Sequence, residues 1–181
     1  CTTTYRRYAM IEGTAPDPAH PTGPRPPRKG GTMAATPFTF EVSMHSSAPA
    51  HALFAAISDA RTWEQWAKPV VLRSFFERRG EPAPGGVGAV RALGLKPILI
   101  KEEVTEHVEG RRHGYKLITP SPMRDYTGLV ELTSTDSGTD IRWSGRFSER
   151  IPGTGPALRS AMRALIKLFA GKVVRYVEQR C

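Results

Sequence analysis

Glu102, Glu103 and Glu106 crowd three carboxylates into one short stretch, and a carboxylate pair is what general acid-base chemistry uses. Neighbouring residues on a strand point to opposite faces, so Glu102 and Glu103 cannot serve one site. Lys101, Glu103 and Thr105 form a polar row that suits solvent, whereas Glu102 shares its face with Ile100 and Val104. Glu102 is therefore the carboxylate placed to look inward. Tyr115 and Tyr126 carry phenols that either orient a ligand carbonyl and act as general acids, or sit at strand ends with their hydroxyls in water. Arg91 and Arg124 can anchor a carboxylate or an enolate, against the simpler role of solvated surface arginines. His107 and His113 titrate near neutral pH, but both fall beside a turn and are expected at the surface.

Trp63 and Trp66 stand three residues apart, and with Trp143 they offer large rigid rings, either as a cavity wall or as plain packing between helix and sheet. Other chemistries find no support. The two cysteines, Cys1 and Cys181, occupy the chain ends, no Cys/His pair has zinc spacing, and neither a metal nor a cofactor is expected. The Gly85-Gly86-Val87-Gly88 stretch lacks the Lys and Ser of a phosphate loop and the helix that should follow it.

The 181 residues are 39% hydrophobic and 24% charged, with a net charge of +9, which suits one globular domain with a real core. The basic balance reads as a generic surface, with nucleic-acid binding through it as a third reading behind ligand binding and catalysis. Apolar runs such as Pro97-Ile98-Leu99-Ile100 are too short to span a bilayer, and the expectation is a cytoplasmic protein. Residues 1–36 are expected to be a disordered, basic, proline-rich tail, since Pro16, Pro18, Pro21, Pro24, Pro26 and Pro27 interrupt a segment with almost no apolar periodicity. Met33 is read as a credible true start, and residues 37–181 as the domain.

The elements that position the candidate groups follow from periodicity. Phe38, Phe40, Val42 and Met44 alternate with polar residues, which predicts a strand. Pro49 opens a short helix with Leu53, Phe54 and Ile57 on its apolar face, and Asp59 caps a second short turn bearing Trp63 and Trp66. Strands are predicted over 70–77, 87–93, 98–106, 115–119, 126–133 and 141–147, joined by tight turns into an antiparallel meander. Leu158, Met162, Leu165, Ile166, Phe169, Val173 and Val177 then recur at helical spacing and predict a long closing amphipath. Arg159, Arg163 and Lys167 lie on its opposite face. This order predicts an α+β helix-grip fold: a curved seven-stranded antiparallel sheet wrapped around the C-terminal helix, with two short helices after the first strand. A bent sheet and a helix cannot close fully on each other, so an apolar cavity is expected between them.

The order of these elements resembles the START/polyketide-cyclase superfamily (SRPBCC). The likeness rests on Ser47-Ala48-Pro49-Ala50 with Leu53-Phe54, Asp59 through Trp63 and Trp66, Tyr126-Thr127-Gly128-Leu129-Val130-Glu131-Leu132, Gly138-Thr139 with Ile141-Arg142-Trp143, and the terminal helix. It implies a cavity more firmly than a reaction. The expected partner is a small hydrophobic molecule, lipid-like or polyketide-like, held by Trp63, Trp66, Arg91, Tyr115, Tyr126, Trp143, Met162 and Phe169. The alternative is a polyketide cyclase or dehydratase with Tyr115, Tyr126 or Glu102 as acid/base groups. No nucleic-acid partner is expected, transient contact of the helix's basic face with a membrane surface is allowed, and monomer and homodimer are both compatible.

Overall fold

A computed structural model describes residues 37–95 and 97–181 of the chain; the tail expected over 1–36 lies outside the described residues. The elements run β1 (Phe38–Ser46), α1 (Ala50–Ser58), a 3-10 turn (Ala60–Thr62), α2 (Trp63–Trp66), β2 (Arg73–Arg78), β3 (Val90–Leu95), β4 (Ile98–Val108), β5 (Arg112–Leu117), β6 (Met123–Thr135), β7 (Gly138–Glu149) and α3 (Gly155–Glu178). All seven strands join one antiparallel sheet in the order β1-β7-β6-β5-β4-β3-β2. Each strand from β2 to β7 lies beside its neighbour in sequence, and β1 closes the far edge against β7. The expected helix-grip fold is the observed one.

Local chemistry explains the joints. Pro49 precedes α1 in extended conformation and Asp59 accepts the Arg61 backbone N–H at 2.9 Å, the side-chain cap expected of it. Leu53 and Ile57 of α1 are buried. Three register shifts, between Phe76 and Arg78, Val104 and Glu106, and Arg124 and Thr127, interrupt the ladders; such bulges bend a sheet and sharpen its twist.

Some strand limits differ from expectation. Val70 and Val71 turn back on the Ala67 carbonyl oxygen instead of starting β2. Val87 pairs only with Glu81 in an isolated bridge, so β3 begins at Val90. β5 begins at Arg112, which draws His113 and Gly114 into the sheet. The turn signals near all three were real, but backbone pairing with the neighbouring strand decided where each strand began.

α3 is about 36 Å long at 1.5 Å per residue for its 24 residues, and both its ends are fastened. Glu149 accepts N–H groups from Gly153 at 3.0 Å and Gly155 at 2.6 Å ahead of its first turn. At the other end Glu178 accepts from the Ser46 hydroxyl and the Ser47 N–H, each at 2.9 Å. The C-terminal half packs down through Phe169, Ala170, Val173, Val174 and Val177, all buried, while Leu158, Met162 and Leu165 in the N-terminal half stay partly open. A helix held at its ends and packed along one half leaves space under the other.

Candidate functional site

That space is a cavity of about 640 Å³ between the sheet and the N-terminal half of α3, within the range of about 300–1,000 Å³ usual for small-molecule sites. Its walls are mostly apolar: Leu93 of β3, Ile98 and Ile100 of β4, Leu117 of β5, Pro122 and Met123 at the start of β6, Trp143 of β7, and Met162, Leu165, Ile166 and Phe169 of α3. Trp63 and the Val70-Val71 turn close one side. The polar groups on this wall include Glu102, Tyr115 and Tyr126.

Register places them together. Arg91 on β3 stands directly opposite Glu102 on β4, and cross-strand partners share a face. Arg91 Nε donates to Glu102 Oε2 at 2.8 Å. The guanidinium, 0% exposed, lies 4.9 Å from the Trp63 ring centre and 5.0 Å from that of Tyr115, and its Nη1 donates to the Ile57 carbonyl oxygen at 2.9 Å. A buried carboxylate is tolerable only with such a partner. Tyr115 faces Gly128 across the β5–β6 pair, where any Cβ would strike its ring. That glycine lets the ring lie flat against the sheet, and the Trp143 indole Nε1–H donates to the Tyr115 hydroxyl at 2.9 Å. Tyr126 sits at the β6 bulge, with its ring stacked on Phe40.

Burial is the first cause of the shifted acidities here. It pushes the Tyr115 phenol up to about 12, with Glu102 adding to the rise and Arg91 opposing it. Burial, followed by Tyr115 and Glu102, holds the Tyr126 phenol well above its ordinary 10. Both therefore stay protonated at neutral pH and act as hydrogen-bonding hydroxyls. The wall carries one carboxylate, balanced by one guanidinium behind it.

Of the residues expected at the site, Trp63, Glu102, Tyr115, Tyr126, Trp143, Met162 and Phe169 meet on this cavity. Trp66 does not: its Nε1 donates to the Ala56 carbonyl oxygen at 3.2 Å, and its ring packs against Trp63 and Phe169 within the core. Arg91 also stays off the wall, because Glu102, Ile57 and two aromatic rings hold it behind the surface. Arg124 is exposed and donates to the Arg150 carbonyl oxygen at 3.2 Å.

His113 overturns the expectation of surface exposure. It is 1% exposed, since β5 starts early enough to turn it inward. Burial, then Arg91 and His107, hold its pKa well below 6.5. His107 is half-buried and packs edge-on against Phe54. Among the described residues, Arg91 Nη2, His107 Nδ1 and both ring nitrogens of His113 are buried without a hydrogen-bond partner. Leu93, Leu117 and Met123 join the wall without having been expected there; the alternation that links Leu93 to Arg91 and Leu117 to Tyr115 was the signal available for the first two.

A second depression of about 630 Å³ is lined by His51, Phe54, Phe76, His107, Arg180 and neighbours. Its polar and charged rim, at the edge of α1, gives no comparable apolar enclosure. Among the described residues no cluster of three His, Cys, Asp or Glu side chains could hold a metal ion, and no helix is long and apolar enough to cross a membrane.

Comparison with known proteins agrees with the geometry. A family model described as polyketide cyclase / dehydrase and lipid transport matches residues 37–178. A START superfamily protein from Mycobacterium smegmatis superposes with a TM-score of 0.65 at 14% identity, over 80% of this chain and 99% of that one. Protein MLL2253 from Mesorhizobium loti gives 0.62 at 17%, over 78% and 98%, and Ara h 8.0201 gives 0.62 at 16%, over the same shares. At these identities the likeness is one of fold. A search of curated proteins finds no match. The family match covers residues 37–178, from β1 through α3, and the chain belongs to the polyketide cyclase / dehydrase and lipid transport family.

Proposed function

We propose that this domain holds one neutral, largely apolar molecule in the cavity beneath α3, with a hydroxyl or phenol of that molecule donating to Glu102. The observation that carries the reading is the division of labour in the Arg91–Glu102 pair. Oε2 is bound to Arg91, and among the described residues no hydrogen bond is made to Oε1, while the carboxylate belongs to the cavity wall. An acceptor with its charge already balanced suits a neutral donor. A fatty-acid head would bring a second carboxylate to a site whose one guanidinium already balances Glu102, and an unbalanced anion in a low-dielectric space is costly. Tyr126 adds a protonated phenol to the same wall, and the apolar walls take the rest of the molecule.

Trp63 and Trp143 line the cavity and report on its contents. Titration with 1-dodecanol and with dodecanoate, followed by tryptophan fluorescence at pH 7, is expected to show the alcohol binding at least tenfold more tightly. Equal affinities, with Glu102→Leu unchanged from the parent, would refute the assignment.

A second reading is favoured by the convergence of Glu102, Tyr115 and Tyr126 on one wall, and by the family's description. In it the domain cyclises or dehydrates a poly-β-keto chain: a protonated tyrosine polarises the carbonyl and Glu102 takes the proton from carbon. Tyr126→Phe separates the two. Loss of turnover with retained binding favours catalysis, and loss of binding alone favours carriage.

A further inference from the structure

Single exposed apolar side chains are ordinary on a protein surface, but a contiguous group of them marks a contact site. Four such residues meet at the cavity mouth. Leu95 and Ile98 face each other at the tip of the β3–β4 hairpin, 45% and 76% exposed, and Ile100 follows at 40%. Leu72, 48% exposed, is tied to this hairpin by its N–H, which donates to the Gly94 carbonyl oxygen at 3.0 Å. Leu95, Ile98 and Ile100 are also wall residues, so apolar surface runs without a break from the outside into the cavity.

Basic residues border this rim. Arg73 stands opposite Gly94 in the β2–β3 pair, and Lys172 Nζ donates to the Lys68 carbonyl oxygen at 2.6 Å, beside the Val70-Val71 wall. Among the described residues, none of Lys68, Arg73 and Lys172 makes an ion pair. A second copy of this chain, itself strongly basic, would bring like charges together at the rim. An anionic bilayer supplies both hydrocarbon for the leucines and isoleucines and opposite charge for the lysines and arginine.

We infer that the cavity mouth docks on an anionic membrane surface, with the side chains of Leu95 and Ile98 entering the lipid and Lys68, Arg73 and Lys172 resting on the headgroups. This goes beyond the ligand reading and stands without it. It also moves the membrane contact from α3's outer face to the hairpin. Docking there opens the cavity toward hydrocarbon, so an apolar molecule can pass between bilayer and protein without crossing water.

The test is co-sedimentation of the full chain with phosphatidylcholine vesicles and with vesicles that also contain phosphatidylglycerol. Binding is expected only to the latter, weakening as salt rises. Ile98→Asp should lower it at least tenfold, consistent with losing one inserted apolar side chain, and Lys68→Gln or Arg73→Gln about fivefold each. Ile98→Asp should melt like the parent, because the side chain is already mostly in water. The double change Arg163→Gln with Lys167→Gln, on the outer face of α3, should leave binding unchanged. Three results would each overturn the inference. They are no binding to phosphatidylglycerol vesicles, binding that survives Ile98→Asp (as adhesion of the basic N-terminal segment alone would), and a dimer in sedimentation velocity that Ile98→Asp dissolves without vesicle binding in the parent.

Discussion

Replacing Arg91 with methionine tests whether the buried ion pair is what keeps a carboxylate on the cavity wall. Methionine matches much of the arginine stem in volume but removes the guanidinium. Glu102 then loses its 2.8 Å partner, the Ile57 carbonyl oxygen loses a donor, and Trp63 and Tyr115 lose the cation near their faces. Breaking a buried pair from one side costs about 3–5 kcal/mol, because the remaining charge is stranded. For a domain of this size that amounts to a fall in melting temperature of roughly 6–20 °C, at about 2–4 °C per kcal/mol. The assay is equilibrium denaturant unfolding at pH 7, read by tryptophan fluorescence. Arg91→Met with Glu102→Leu removes both charges and should recover most of the loss, since replacing a buried pair by apolar groups is often neutral or stabilising. A single mutant within about 1 kcal/mol of the parent, or a double mutant no better than the single, would show that the ion pair is not what sustains Glu102 on the wall.

Trp143→Phe removes the donor to the Tyr115 hydroxyl and leaves a gap in the core, so unfolding experiments should show a loss of about 2–4 kcal/mol; Trp66→Phe, off the cavity, should leave dodecanol affinity unchanged. Gly128→Ala drives a methyl group into the Tyr115 ring and is expected to cost about 1–3 kcal/mol while weakening dodecanol binding in the fluorescence titration. His113 contributes to the pH dependence, in the same direction as His107, whose pKa burial also lowers. The folded pKa of His113 is held well below the unfolded value of about 6.5, first by burial and then by Arg91 and His107, so the unfolded chain binds the extra proton. Its contribution is complete above pH 6.5 and is lost as the pH falls from there toward the folded pKa, at up to about 1.4 kcal/mol per pH unit. Denaturant midpoints from pH 7.5 to 5 should fall accordingly, and His113→Phe should flatten that slope; an unchanged slope would place the titration elsewhere.

How much the sequence revealed depended on whether a signal was local. The alternation of Phe38 to Met44 and the helical recurrence from Leu158 to Val177 reflect one element meeting one core, and both were legible. So was the difference between Glu102 and Glu103, because opposite faces of a strand follow from backbone geometry alone. His113 and Arg91 were harder. Whether a polar residue near a turn is in water depends on where the neighbouring strand stops pairing, and β5 gains Arg112, His113 and Gly114 through bonds to β4 and β6. Nothing local to Arg91 indicates that Glu102, eleven residues later, lies opposite it. Trp63 and Trp66 present the same residue type on one turn, and only the position of α3 decides that one meets the cavity while the other meets the core.

In the proposed function the space beneath α3, and not the depression beside His107, receives the ligand. The most direct measurement is amide chemical-shift mapping of the isotope-labelled protein titrated with 1-dodecanol. Shifts are expected to concentrate at Leu93, Glu102, Leu117, Tyr126, Ile166 and Phe169, and to be attenuated in Glu102→Leu. Shifts confined to Phe54, Phe76, His107 and Arg180, with the residues under α3 silent, would contradict it.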